Sequence, residues 1–236
     1  VLMASDTPPM AAAMPNVRIW DLPTRLFHWC LAASVVGAYV SAKLGGLYMD
    51  WHVRFGLTTL GLVIFRVIWG FVGPRHARFR SFVKGPGETG AYLRGLAAGT
   101  VRSAGHNPLG ALSVLAMLVD LGIQAVLGLF ATDDIMVQGP LYGTVSAATS
   151  SFLTSLHEAN RWVIITLVVL HLLAVAWHTL ARKEPLVRAM VAGDMPADHL
   201  PVDAQPSADG TGVRLRALML AIVVAAFVLW LRSLGS

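Results

Sequence analysis

Apolar residues gather in five long runs, near positions 26–44, 53–72, 109–130, 157–180 and 215–232, separated by polar segments that hold most of the Pro and charged residues. A hydrocarbon core about 30 Å thick is crossed by about 20 mainly apolar residues in a helix. Each run therefore predicts one transmembrane helix. The fifth is the shortest, but its centre, "ALMLAIVVAAFVLWL", carries no charge. No period-2 alternation suggests a membrane barrel, and no internal repeat is evident. Within 73–106, "ETGAYLRGLAAG" predicts a short helix lying along the inner membrane surface.

Composition agrees. Of 236 residues, 56% are hydrophobic and 13% charged, too little charge for a soluble domain of this size. The net charge of +5 is therefore read as topology, and no basic-aromatic pattern of a nucleic-acid module accompanies it. Thirteen Lys and Arg residues precede the first run or lie in the second-to-third and fourth-to-fifth connections, whereas the opposite side holds Lys43 and Arg232 alone. The positive-inside rule then puts the N-terminus in the cytoplasm and the C-terminus outside. The third-to-fourth connection has no basic residue but carries Asp133 and Asp134. Residues 1–16 contain no Lys or Arg and read as a disordered tail rather than a cleavable signal. Residues 193–213, rich in Pro, Asp, Ala and Gly, read as a flexible cytoplasmic linker. The expected organisation is a four-helix domain over 17–192, that linker, and a C-terminal transmembrane helix over 214–236. Cys30 is the only cysteine, which excludes an internal disulfide, and no C-x-x-C-H motif is present for covalent haem attachment.

The histidines carry the chemistry. With span one running outward and spans two and four inward, His28 and His171 fall near the inner leaflet and His52 and His157 near the outer one. His157 and His171 are fourteen residues apart, a rise of about 21 Å that returns within about 40° of the same helix face. Two imidazoles at one depth, from two helices, suit the axial positions of a six-coordinate haem iron. Two such layers predict two b-type haems, with irons about 20 Å apart by helix rise. Ionisable groups inside spans are rare and usually functional. Lone interfacial histidines need no such explanation, but four in two depth-matched pairs do.

Other polar residues are weighed against that frame. Arg161 lies one turn from His157, and Arg66 lies fourteen residues from His52, so both are candidate partners for haem propionates; Arg25 is a weaker one. Gly56, one turn from His52, leaves room for a porphyrin edge or for close helix packing. Asp120 and Gln124 sit one turn apart in span three. A neutral Asp120 bonded to Gln124 or to a backbone carbonyl is favoured there over a proton-uptake role. His178 is a poor ligand candidate near the inner headgroups, and His76, His106 and His199 are expected to be solvated. Trp20, Trp29, Trp51, Trp69 and Trp162 fall near span ends, as an aromatic belt predicts.

The segments "VRIWDLPTRLFHW", "MDWH", "FRVIWGFVGPRHARFRSF", "GHNPLG", "GLFATDD" and "LHE" followed by "VVLH" occur in order over about 17–192. They resemble the bacterial membrane di-haem cytochrome b family, of the nickel–iron hydrogenase b-type cytochrome subunit type. The resemblance implies an all-α membrane bundle with a four-helix haem-binding core, to which this chain adds a fifth C-terminal helix. It implies two non-covalent b-type haems on His28, His52, His157 and His171. It further implies respiratory-chain electron transfer in the bacterial inner (plasma) membrane, between quinone and a redox partner such as a periplasmic c-type cytochrome or a hydrogenase subunit. On that reading the chain is an electron-transfer subunit more than a stand-alone enzyme, since bis-histidine iron has no open position. Two alternatives stand beside it. One is a self-sufficient superoxide-to-quinone oxidoreductase, which needs a basic outer pocket from Arg54 and Arg161. The other is a haem-free transporter or scaffold. Span five is left as a partner anchor or a homo-oligomer contact.

Overall fold

The computed structural model describes residues 16–97, 105–135 and 137–235. In chain order they form a strand β1 (Asn16–Arg18), helices α1 (Leu22–Leu44), α2 (Met49–Val72), α3 (Phe79–Phe82), α4 (Pro86–Ala97), α5 (Pro108–Leu129), α6 (Ala147–Leu180) and α7 (Leu186–Ala192), a strand β2 (Asp194–Pro196) and helix α8 (Thr211–Ser233). The expected N-terminal tail lies outside the described residues, apart from Asn16, which begins β1.

Each of the five apolar runs is a long helix. Four of them, α2 with its preceding turn, α5, α6 and α8, are long and apolar enough to cross a membrane. α1 has the length, at 23 residues, but His28, Ser34, Ser41 and Lys43 dilute its hydropathy. The expected short helix is α4.

Sequence chemistry sets the helix starts. The Asp21 side chain accepts from the Thr24 amide at 3.0 Å, ahead of Pro23. Asn107 accepts from the Gly110 amide at 2.8 Å, ahead of Pro108. Each satisfies an amide that the first helical turn leaves unpaired. Ser146 caps α6 by accepting from the Thr149 amide at 3.2 Å. The helix begins ten residues before the expected start, so α6 has 34 residues and spans about 51 Å, well beyond the hydrocarbon thickness. The missed turns, "AATSSFLTSL", are polar enough to escape a hydropathy reading yet form good helix behind the Ser146 cap.

α2 is the hub, packed along α1, α5 and α8, while α6 packs along α5. The main core joins Phe27, Val63, Phe65, Trp69, Leu118, Leu121, Val213 and Ala217. Small residues allow the closest approaches: a Cβ on Gly37 would meet the Phe55 ring, and one on Gly61 would meet Val228 of α8 at 3.2 Å. α8 is thus part of the bundle. Its last residues reach Pro140, at the end opposite its N-terminus.

Residues 193–213 are not the extended tether that their composition suggests. β2 pairs antiparallel with β1, Arg18 opposite Asp194, and the Gly193 carbonyl accepts from the amides of Ile19 and Trp20 at 2.9 and 3.0 Å. Gly193 has φ +92°, a left-handed conformation that suits glycine. Ile19, Trp20, Ala189, Met195 and Leu200 bury a small second core at this end. The Ser207 amide donates to the Arg18 carbonyl at 2.7 Å. Asp209 accepts from the Leu22 amide at 2.9 Å and pairs with Arg214 at 3.3 Å and Arg18 at 3.6 Å. These contacts form a clasp that ties the start of α8 to the start of α1. Two of the expected belt tryptophans belong to the interior here. Trp69 is 1% exposed, with its indole N–H donating to Asp21 Oδ1 at 3.2 Å, and Trp20 lies in the clasp core. Trp29, Trp51 and Trp162 remain on the surface.

Burial pushes the Asp209 pKa up, but the Leu22 amide and the Arg214 and Arg18 guanidinium groups outweigh it and hold the carboxyl below its ordinary 3.8. A group depressed on folding contributes stability above the unfolded pKa and loses it as pH falls through the folded one. The clasp should therefore weaken below about pH 4, near the ordinary carboxylate value. Asp209→Asn should reduce that acid sensitivity and speed proteolysis between 193 and 213 at neutral pH, as read by mass spectrometry of limited digests. Equal digestion of variant and wild type would refute the clasp's role.

Candidate functional site

α1 and α6 bring His28 and His171 together, with ring centroids 6.5 Å apart and planes at 52°. α2 and α6 bring His52 and His157 together, with centroids 5.9 Å apart and planes at 87°. These are the two pairs that the depth argument selects. A ring nitrogen sits about 2 Å from a bound metal and somewhat over 1 Å from its own centroid, so two imidazoles on opposite sides of one iron have centroids about 6 Å apart. All four rings are half-buried. Among the described residues no group of three or more His, Cys, Asp or Glu gathers as a bare-ion site. Each pair offers two donors, which is what a macrocycle with four nitrogens of its own requires.

The His52–His157 pair is held through its outer nitrogens. His52 Nδ1 donates to the Ala38 carbonyl at 2.8 Å, and His157 Nδ1 donates to the Gln124 carbonyl at 3.0 Å. Donation from Nδ1 leaves a lone pair on Nε2, the usual arrangement of a metal-binding histidine. Gly128 lies under the His157 ring; a Cβ there would meet Cε1 at 3.1 Å. Gly56, one turn from His52, has nothing within 4 Å of where a Cβ would stand. That open wall fits a broad flat group.

Asn160 connects the mid-span polar residues. Its amide donates to Gln124 Oε1 at 3.0 Å and also bonds the Asp120 carboxylate. Gln124 Nε2 donates to the His157 carbonyl at 3.1 Å and lies 3.3 Å from His157 Nε2. The expected partnership of Asp120 with Gln124 or a carbonyl is thus made through Asn160, and Asp120 Oδ2 stays buried without a partner. Asn160 went unnoticed in the sequence, although an amide one turn below His157 in an apolar span was a legible signal.

The arginines separate. Arg66 is 2% exposed, with the guanidinium 5.0 Å from the Phe79 ring and 6.0 Å from the Phe82 ring. Its Nη1 and Nη2 are buried without hydrogen-bond partners. A buried unpaired guanidinium is costly unless an anion meets it. Arg161 is exposed and lies over Trp162 at 5.5 Å. Arg25 donates to the Val191 carbonyl at 2.6 Å in the clasp. Arg54 pairs with Asp50 at 2.7 Å, which offsets the basic pocket that superoxide capture needs.

Of the remaining histidines, His76 and His106 depart from expectation. His178 Nδ1 lies 2.8 Å from Glu184 Oε2, so it serves the end of α6. His76 is buried, and its Nε2 donates to the Gln205 carbonyl at 2.8 Å. His106 is not solvated either. Its ring packs 4.7 Å from Trp20 and 4.6 Å from Phe82, and Nδ1 is buried with no partner. Both belong to a folded cap rather than to loose loops, because the clasp covers them. His199 is half-exposed, 3.9 Å from Asp198.

Known proteins resemble this chain over most of its length. The prokaryotic cytochrome b561 family matches residues 19–193. A probable Ni/Fe-hydrogenase B-type cytochrome subunit of Azotobacter chroococcum mcd 1 is 26% identical over 211 residues, covering 75% of this chain and 87% of that protein. Its namesake from Azotobacter vinelandii is 24% identical, with 75% and 87% covered. The one from Rhodobacter capsulatus is 23% identical, with 75% and 80% covered. No solved structure matches. With the family spanning most of the chain, from the clasp through the last of the paired histidines, this protein belongs to the prokaryotic cytochrome b561 family, membrane b-type cytochromes of electron transfer.

Proposed function

We propose that this chain holds two b-type haems, one on His28 and His171 and one on His52 and His157, and carries electrons across the bacterial inner membrane. On this reading its N-terminus is cytoplasmic and its C-terminus periplasmic, which the distribution of Lys and Arg supports. The electrons pass between the quinone pool and a redox partner. The relatives' names make a hydrogenase the first candidate partner. A c-type cytochrome is the second. The observation that carries the reading is the double pairing of imidazoles at the separation that one iron demands.

A bound haem supplies an iron that cycles between two oxidation states, and the chain's task is to hold it and tune it. The Ala38 and Gln124 carbonyls fix the tautomer and plane of His52 and His157, and raise the basicity of the free nitrogen. Gly56 leaves the wall open for the macrocycle, and Gly128 admits the His157 ring. Arg66 offers an unpaired buried cation beside the His28–His171 layer, suited to a propionate. Arg161, one turn from His157, serves the other haem if its exposed side chain swings from Trp162. The loop over residues 131–146 presents an exposed Asp134 at the periplasmic end, a negative feature for a partner to meet.

The reading is tested by reduced-minus-oxidised spectra with haem quantitation on purified protein. Two haems per chain are expected. His28→Ala and His171→Ala should each remove the same haem, and His52→Ala and His157→Ala the other, as identified by the surviving midpoint potential. One haem or none in the wild type would overturn it. Gly128→Val should push the His157 ring aside and lose the low-spin signal of that haem while sparing its companion; retention of both signals would contradict the role given to Gly128. Asp134→Lys should slow reduction by a cationic physiological partner several-fold and leave dithionite reduction unchanged. An unaltered partner-driven rate would exclude this loop as the docking point.

A further inference from the structure

Beside the clasp, two buried side chains meet around Phe82 with nitrogens that have no hydrogen-bond partner. Arg66 Nη1 and Nη2 come from α2, and His106 Nδ1 from the residue before the Asn107 cap of α5. Phe82 joins them, its ring lying 4.6 Å from the His106 ring and 6.0 Å from the Arg66 guanidinium. Trp20 closes the other side of His106. The negative group facing this space is Asp21. Its carboxylate is already engaged by the Thr24 amide at 3.0 Å, the Thr24 hydroxyl at 2.8 Å and the Trp69 indole at 3.2 Å. Among the described residues it makes no ion pair with Arg66.

Buried polar atoms in native proteins are almost always satisfied, and each exception needs an explanation. Here Arg66 and His106 share one aromatic wall, and His28 and His171 lie close enough to act on His106 electrostatically. Burial, with the Arg66 charge beside it, pushes the His106 pKa down to about 3, so the ring is neutral and keeps one N–H to donate. A carboxylate is the group that accepts from a neutral imidazole and a guanidinium together.

The geometry points to His106 as a second anchor, beside Arg66, for the carboxylate edge of the haem held by His28 and His171. The inference rests on the haem reading above and adds two things to it. It gives a binding role to a histidine that ligates no metal. It also fixes which way that haem faces, with its charged edge toward the clasp and its apolar edge toward the middle of the bundle.

The test measures haem escape from detergent-solubilised protein into an apo-globin acceptor. Protein made in haem-starved cells is loaded either with protohaem or with its dimethyl ester, which has no carboxylates. His106→Phe keeps an aromatic ring between Trp20 and Phe82 but removes both nitrogens. With protohaem, the haem on His28 and His171 should leave this variant about fivefold faster than wild type, as expected for one lost hydrogen bond, and the other haem should leave at its wild-type rate. With the ester, variant and wild type should lose it equally. Equal rates with protohaem would overturn the inference, as would a difference that persists with the ester. If His106→Phe folds poorly, His106→Gln and His106→Met carry the comparison. Gln keeps a donor and should retain haem better than Met, and equal escape from the two counts against the inference. Failure of the underlying reading looks different: wild type takes up no haem, or His28→Ala and His171→Ala keep both.

Discussion

Hydrocarbon offers no water to a stranded donor or acceptor, and this constraint orders the interior of the bundle. Serine and threonine hydroxyls on the spans turn back to their own helices: Ser41 to the Gly37 carbonyl, Thr58 to Arg54, Thr166 to Trp162. Longer side chains reach a neighbouring helix instead, as His52 does to Ala38 and Asn160 does to Gln124. Against this pattern, some buried atoms have no hydrogen-bond partner, Thr59 Oγ1 and Thr179 Oγ1 on the spans among them. His28 Nδ1, Arg66 Nη1 and Nη2 and His106 Nδ1 lie around the clasp end, and Asp120 Oδ2 lies at mid-span. The two histidine pairs belong to the same logic, because imidazoles placed in facing pairs within lipid are suited to a metal.

The pairing explains why α6 differs from its neighbours. It packs along α5 but carries only one buried residue, Ser150, outside the membrane-length apolar window. Its ring contacts with α1 and α2 are the two imidazole pairs, and Ile164 adds an apolar contact with the main core. α2, by contrast, is gripped on three sides by α1, α5 and α8 and supplies much of the buried core. One fixed helix and one loosely packed helix share the His52–His157 site. The geometry of that site therefore depends on the α5–α6 contact, on Gly128 beneath His157, and on the Asn160–Gln124 bridge.

Much of this was legible in the residues because the determining signals are periodic and local. Apolar runs of membrane length show themselves in any window, and the fourteen-residue spacing of His157 and His171 converts directly into depth and face. α6 was placed ten residues short because hydropathy reports lipid contact and not helix length, and the Ser146 cap is a weak local cue. The clasp was missed for a different reason. Three-residue strands 175 or more positions apart have no local pattern, and "DMPADHLPVDAQPSADG" has the composition of a loop whether or not it is docked. His106 shared that fate: its burial is imposed by Trp20 and by the residues that fold over it, none of which its sequence neighbours announce. Asn160 was within reach, since a polar residue on the ligand face of a span has few reasons to be there.

The clasp has a consequence for how the molecule is made. Asp209 and β2 are translated after four of the five long helices, yet they complete the surroundings of Leu22, Arg18 and Trp20 near the beginning of the chain. During synthesis the end of the bundle beside Arg66 and His106 accordingly stays uncovered until residues 193–209 emerge. Biogenesis thus leaves a temporal doorway on this side, which shuts only once residues 193–209 have left the ribosome.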